Sequence, residues 1–112
     1  MSKPGSGHFT GTKGDIAAAI SALPPRPNKA FHKQWENVTD PRTKNRENYR
    51  NKENGLLISF DPGQKGKPGF RGKDHYHIHN PNASDKKNPY LDKDGNPVPK
   101  GSNASHIIPE ED

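Results

Sequence analysis

A shortage of large apolar side chains is what most limits the fold of this chain. Leu, Ile, Val and Phe together make up only about 14% of its 112 residues, well below their share in ordinary globular domains. Gly and Pro contribute 11 and 12 residues, which is typical of a loop-rich chain but not of low-complexity sequence. We therefore predict one small domain with a thin core.

Cysteine is absent, which excludes a disulfide framework, a thiolate nucleophile and a zinc site with Cys ligands. The chain carries 18 Lys and Arg residues against 13 Asp and Glu residues, a formal net charge of +5 with neutral His. This balance favours polyanionic partners such as nucleic acid. A basic surface without a specific partner is the plainer interpretation.

Residues 1–13 are rich in Gly, Ser and Thr and contain one large side chain suited to a core, Phe9. This composition predicts a flexible leader or graft point, anchored at most by Phe9, with residues 14–112 as the single domain. The leader has no apolar stretch typical of a signal peptide. No run of about 18 apolar residues occurs, so no membrane anchor is expected.

Two helices are predicted at the start of the domain. Ile16, Ile20 and Leu23 recur with helical spacing, and Pro24-Pro25 ends this first helix. The second helix is predicted to begin with Asn28 as N-cap and to direct another apolar set to the same core. That set is Phe31, Trp35 and Val38.

Residues 40–54 are dominated by Lys, Arg and Asn. We interpret them as a basic surface segment, compatible with a helix, that contributes nothing to the core. Their cations around the single aromatic Tyr49 suit phosphate contacts with one stacking ring, and a merely solvated charged face fits equally well. The two members assigned to substrate binding are Arg46 and Arg50.

Alternation and turn residues predict the strands. Residues 55–61 form a short apolar run bounded by Gly and by Asp-Pro-Gly, which predicts a central strand. In residues 75–79, His alternates with Tyr76 and Ile78, so the three imidazoles should look outward together while the apolar pair packs inward. A hairpin over residues 90–99 and a last element at 105–108 follow. Two helices followed by about four antiparallel strands make an α+β domain.

The densest group of ionisable side chains surrounds His75 and His77. Two imidazoles at i and i+2 on a strand point the same way, so one can act as the base and the other as the acid in RNA cleavage. The cations predicted on the phosphate are Lys73 and Arg71, and the groups predicted to tune the pair are Asp74 and His106.

Two other interpretations of this cluster stay open. His-x-His on a strand can offer two nitrogens to Zn²⁺, with His79, Asp74 or His106 completing an open site. Alternatively, the three histidines are solvent-facing strand residues without a role. Our prediction is a reaction that needs no metal and no cofactor.

Other candidate motifs carry less chemistry. Ser105-His106 lacks the Gly-x-Ser-x-Gly turn of a serine hydrolase, so His106 is expected to join the site from an adjacent strand, with Ser105 on a phosphate. Asp61 and Glu53 are acidic candidates near the central strand. The acidic run at 92–96 lacks the later Glu of a calcium loop and predicts a hairpin turn.

The sequence Gly69-FRGKDHYHIHNPN-Ala83, followed by residues 90–108, resembles the C-terminal toxin domains of bacterial polymorphic toxins of the Rhs, LXG and contact-dependent inhibition systems. The resemblance covers roughly residues 55–109. It implies a nuclease secreted within a larger protein, delivered into the cytoplasm of a competitor and neutralised by a cognate immunity protein. It also implies a fold like those of barnase, EndoU, colicin or RelE.

We therefore expect a toxin ribonuclease acting on tRNA or rRNA, with an acidic immunity protein whose carboxylates engage the basic loop before His75. The alternatives are a metal-dependent nuclease and a nucleic-acid-binding module without catalysis, in which residues 42–52 and 65–73 form an electrostatic groove. Beyond Arg46, Arg50 and Ser105, the expected substrate contacts are Arg71, Lys67, Tyr76 and His79.

Overall fold

The computed structural model describes residues 9–82 and 84–109, and its centre is an open sheet of antiparallel strands. The strands follow one another in chain order, from β1 to β6. Their bounds are β1 Trp35–Asn37, β2 Glu47–Asn51, β3 Leu57–Asp61, β4 His75–His79, β5 Tyr90–Leu91 and β6 Pro97–Val98. The α+β class is confirmed, whereas the expected four strands are six.

The core lies on one face of this sheet, where β3 and β4 pair in the middle. Ile58 lies opposite Ile78, and Phe60 lies opposite Tyr76, with all four side chains almost fully buried. The central position predicted for β3 is thus confirmed, since it has a hydrogen-bonded neighbour on each side. Few large side chains suffice because only this face is apolar.

Helix α1, Lys13–Ser21, covers the core face as predicted, with Ile16 and Ile20 buried. It begins before Asp15 because Thr12 and Asp15 form a reciprocal capping box. Phe9 packs against the core, as the one possible anchor of the leader. Residues 1–8 of that predicted leader lie outside the described residues.

The second predicted helix is wrong beyond its first turn. Helix α2 spans only Phe31–Gln34, and the chain continues as β1 from Trp35. Asn28 does accept a hydrogen bond from the Phe31 amide, as expected of a cap. Pairing with β2 places Trp35 opposite Asn51, so strand hydrogen bonds replace those of a longer helix. The rings of Phe31 and Trp35 nevertheless reach the core, where they stack on each other.

The interpretation of residues 40–54 as surface only is also wrong. Part of this segment is β2, and its Tyr49 is 1% exposed. Period-two alternation directs Tyr49 to the core, where Phe31 meets its ring edge to face, and directs Arg50 to the other face. One aromatic at an inward position is enough to recruit a polar strand into a sheet.

The C-terminal hairpin is confirmed, with β5 and β6 antiparallel around a turn in which Asp92 accepts hydrogen bonds from two backbone amides. The last predicted element is a 3₁₀ turn, Asn103–Ser105, rather than a strand. Ile107 then pairs with Tyr76 through two backbone hydrogen bonds of 2.8 Å. No helix among the described residues is long and apolar enough to cross a membrane.

The glycine loop, residues 62–73, is folded tightly back on itself between β3 and β4. Its two ends are joined by a 2.7 Å hydrogen bond from the Gln64 amide to the Arg71 carbonyl. A side chain on Gly72 would collide with the Lys67 carbonyl, and one on Gly63 would lie 2.7 Å from the Gly72 carbonyl oxygen. Glycine at these positions lets the loop close and carry the 3₁₀ turn Gly69–Gly72.

We expect Gly72→Ala to lower the free energy of unfolding by about 1–3 kcal/mol, because the methyl group must displace backbone rather than a flexible side chain. Urea denaturation measures the loss. The control is Gly14→Ala in α1, where the new methyl would meet only Thr12 Oγ1 at 3.6 Å and should be neutral or stabilising. Equal stability of the two variants would contradict the packing of the loop.

Candidate active site

The face of the sheet opposite the core carries the three histidines of β4. As predicted, His75, His77 and His79 alternate with the inward Tyr76 and Ile78. The expectation that the imidazoles look out to solvent is wrong, since His75 and His77 are only 6% and 5% exposed. Aromatic rings from the glycine loop, from β5 and from the C-terminal segment cover this face.

Three imidazoles converge here, two from β4 and one from the C-terminal segment. The ring centroids are 5.0 Å apart for His75 and His77, 4.9 Å for His75 and His106, and 4.8 Å for His77 and His106. The backbone pairing of Ile107 with Tyr76 holds His106 beside β4. Phe70 stacks on the His106 ring at 4.2 Å and 12°. The prediction that His106 joins the cluster is confirmed.

One carboxylate, that of Asp61, lies beside both of the histidines that β4 contributes to the cluster. Its Oδ2 lies 3.3 Å from His75 Nε2 and 3.4 Å from His77 Nε2. Arg46 holds the same carboxylate with two hydrogen bonds of 2.6 and 2.7 Å. The strand register explains the arrangement, because Asp61 ends β3 directly opposite His75.

Backbone carbonyls fix the orientation of two of the three rings. His75 Nδ1 lies 2.9 Å from the Lys73 carbonyl, and His106 Nδ1 lies 2.8 Å from the Ser102 carbonyl. Because a carbonyl only accepts, both Nδ1 atoms donate, which leaves the Nε2 atom of each ring outside these hydrogen bonds. His77 Nδ1 is buried without a hydrogen-bond partner among the described residues.

The environment moves the pKa values of the cluster in different directions. Burial alone would raise the pKa of Asp61, but hydrogen bonds from His75, His77 and Arg46 outweigh it and hold this pKa well below its usual range. Burial opposes protonation of His75, and the hydrogen bond to Asp61 overcomes it, so the pKa of His75 is raised. Burial lowers the pKa of His106, which pairs with no carboxylate of the described residues, and the neighbouring histidines add to this effect.

These groups line a pocket of about 410 Å³ on the second face of the sheet. Cations from three loops also line it: Lys44, Arg71 and Lys100. A larger cleft of about 680 Å³ lies between α1 and the Trp35 region, but none of its lining residues is a histidine or a cation. The smaller pocket is therefore the candidate active site, because it unites titratable groups with positive charge.

Three residues predicted for the site lie elsewhere. Asp74 accepts a hydrogen bond from the Gly63 amide and pairs with Arg26 at 3.1 Å, so Asp61 takes the place predicted for it. Tyr76 is buried in the core and donates to the Pro24 carbonyl, which removes it from substrate binding. Ser105 is fully buried and donates to the Ser102 carbonyl instead of reaching a phosphate.

Four other predicted residues stand apart from the pocket. Lys67 and Lys73 are exposed but lie outside its lining. His79 lies 2.7 Å from Ser59 Oγ in a buried polar network, and burial lowers its pKa to about 4. Arg50 is paired with Glu36. The predicted Arg46, Arg71, His75, His77 and His106 do line the pocket.

The three imidazoles could also hold a metal ion. One ligand nitrogen from each of His75, His77 and His106 lies within 4.8 Å of the others. A set of three nitrogens suits Zn²⁺ better than Mg²⁺, and carbonyls behind two of the rings are the usual outer partners of metal-binding histidines. The free Nδ1 of His77 fits the same use.

Comparison with known proteins adds no relative: no family model, no curated protein and no solved structure matches the chain. The resemblance to polymorphic toxin domains, and to their folds, accordingly stays a prediction. The chemistry of the site is argued from its own geometry.

We expect Asp61→Asn to destabilise the fold by about 1–3 kcal/mol, because Arg46 and the two histidines would lose their charged acceptor in a half-buried setting. Urea denaturation at neutral pH measures the effect. The matched control is Asp40→Asn, which breaks an exposed Asp–Arg pair and should leave stability unchanged. Equal stability of the two variants would show that the Asp61 network is dispensable.

Proposed function

We propose that this chain is an endoribonuclease acting by metal-independent acid–base catalysis, and that it serves as the toxin domain of a larger secreted protein. The observation that carries the activity is the convergence of three imidazoles, two of them beside one carboxylate, in a pocket lined by cations. Imidazoles move protons near neutral pH, and cations bind phosphate. A phosphodiester is the substrate that needs both.

His106 is the base in this proposal. Its Nδ1 donates to a carbonyl, no carboxylate within residues 9–82 and 84–109 pairs with it, and its Nε2 is left with a lone pair. His75 is the acid, because Asp61 faces its Nε2 and the Lys73 carbonyl faces its Nδ1, so both nitrogens have acceptors for a proton. The opposite pKa directions of the two rings support this division of roles.

The reaction follows from these roles. His106 Nε2 removes the proton of the ribose 2′-hydroxyl, and that oxygen forms a bond to phosphorus. The bond from phosphorus to the 5′ oxygen breaks, and His75 gives its proton to the leaving oxygen. The products are a 2′,3′-cyclic phosphate and a free 5′-hydroxyl, and the cations stabilise the added charge on the phosphorane-like transition state.

This assignment changes one partner of the sequence-based pair. His77 was predicted to act with His75, but both of these rings lie beside the Asp61 carboxylate, whereas no carboxylate of the described residues pairs with His106. The His77 ring lies 5.0 Å from that of His75 and 4.8 Å from that of His106, and it packs against Tyr90 at 4.7 Å. It is a positioning residue in this proposal.

We expect the purified protein to cleave RNA in excess EDTA, and His75→Ala and His106→Ala each to reduce the rate about 10²-fold or more. Gel analysis of a labelled RNA, with detection of the cyclic phosphate end, measures this. The matched control is His32→Ala, an exposed histidine on α2 outside the pocket, which should leave the rate unchanged. RNA that is left intact by correctly folded wild-type protein would refute the proposal.

A metal-dependent nuclease is the second candidate, favoured by the close approach of the three ligand nitrogens. The same assay separates the two. Cleavage that EDTA abolishes and Zn²⁺ restores would replace acid–base catalysis by metal catalysis. RNA binding that weakens with salt, without cleavage under either condition, would identify a binding module.

Expression of the chain in bacteria should arrest growth, and His106→Ala should abolish the arrest. The protective partner is expected to be an acidic protein whose carboxylates cover the pocket cations. Opposite charge speeds association, and the carboxylates would pair with the cations that the complex buries. Growth curves measure the arrest, with His32→Ala as the toxic control. Arrest that survives His106→Ala would contradict an enzymatic cause.

A further inference from the structure

We infer that Lys44, Arg71 and Lys100 contact phosphates on both sides of the one being cleaved, so that the site takes the interior of a nucleic acid strand rather than a dinucleotide or a strand end. This inference rests on the proposed function for the identity of the scissile group. The three residues are called the rim cations below. They come from three separate loops around the histidine cluster.

Within two residues of each rim cation, one residue has a backbone in the left-handed region. Asn45 follows Lys44 with φ 70°, Gly69 lies two residues before Arg71 with φ 62°, and Gly101 follows Lys100 with φ 82°. Asn45 is the one described residue other than glycine with positive φ. An L side chain adopts this conformation at a cost, and asparagine tolerates it best. All three loops therefore turn sharply where they present their cations to the pocket.

The rim cations form no ion pair with a carboxylate of the described residues. Within residues 9–82 and 84–109, none of the three has a carboxylate within 4.0 Å. Asp61 is the one acidic side chain among those lining the pocket, and Arg46 already holds both of its oxygens. An anion entering the pocket would thus meet three cations that no carboxylate of the described residues neutralises.

The rim cations also carry more charge than a single phosphodiester neutralises. Lys44 precedes β2, Arg71 lies between β3 and β4, and Lys100 follows β6. These three loops bring three positive charges to one pocket, whereas a phosphodiester held at His75 and His106 carries one negative charge. A strand with further phosphates on either side can pair with all three cations.

The experiment uses 2′-deoxy oligonucleotides, which lack the nucleophile and cannot be cleaved by the proposed reaction. Binding of probes of about two and about eight nucleotides is measured by fluorescence anisotropy over a range of salt concentrations. The longer probe should bind at least about tenfold more tightly. For this probe, Lys44→Ala and Lys100→Ala should each reduce the slope of log K against log salt by about 0.7, the contribution of one phosphate contact in a single strand.

Lys33→Ala is the matched control, because Lys33 is exposed on α2, outside the pocket lining, and should keep the wild-type slope. Arg71→Ala should behave like the two lysine variants. The inference is overturned if both probes bind equally, or if the rim variants keep the wild-type slope.

A failure of this inference can be distinguished from a failure of the proposed function. A protein that binds the longer probe through the rim but leaves RNA intact would retain the inference and lose the nuclease. A protein that cleaves RNA but whose rim variants keep the wild-type salt dependence of probe binding would do the opposite.

Discussion

The bidentate pair between Arg46 and Asp61 is the interaction on which the second face of the sheet depends. It joins the start of β2 to the end of β3, and through Asp61 it reaches two histidines of β4. A half-buried carboxylate is costly unless hydrogen-bond donors surround it, and here Arg46 and two histidines lie against it. The same contacts that make the charge tolerable set the orientation and proton content of His75. Stability and the candidate chemistry therefore share one network.

The chain has few large apolar residues, and the two faces of its sheet are covered by different kinds of side chain. The core face uses nearly all of them, with the central pairs of β3 and β4 under α1 and α2. The other face has no such supply, and polar side chains with a few aromatic rings cover it instead. A thin core thus leaves an entire sheet face free for ionisable groups. The pocket is built where the core is not.

The sequence was most informative where a periodic pattern and its burial coincide. Alternation in residues 75–79 predicted both the strand and the common face of its histidines, and the apolar run of β3 predicted its interior position. Tyr49 and Trp35 were misassigned because a polar strand owes its place to backbone pairing with partners far along the chain. The sequence named Asp61 as an acidic candidate near the central strand but did not assign it to the site, because Asp-Pro-Gly is also a turn signal. Antiparallel pairing of β3 and β4 places it opposite His75. The burial of the histidine face depends on Phe70, and no local pattern predicts that stack.

The charge around His75 supports the proposed acid–base chemistry over a metal site. A metal ion at this position would have to displace the proton that Asp61 favours on His75, and would then sit among Arg46 and the rim cations. A phosphate meets the reverse situation, because every one of those cations attracts it and the proton of His75 is the one that a leaving oxygen needs. Asp61 is too fully engaged by Arg46 to offset that positive field for a divalent ion. The electrostatics of the pocket therefore support the proposal of an anionic substrate and of imidazoles that act as acid and base rather than as ligands.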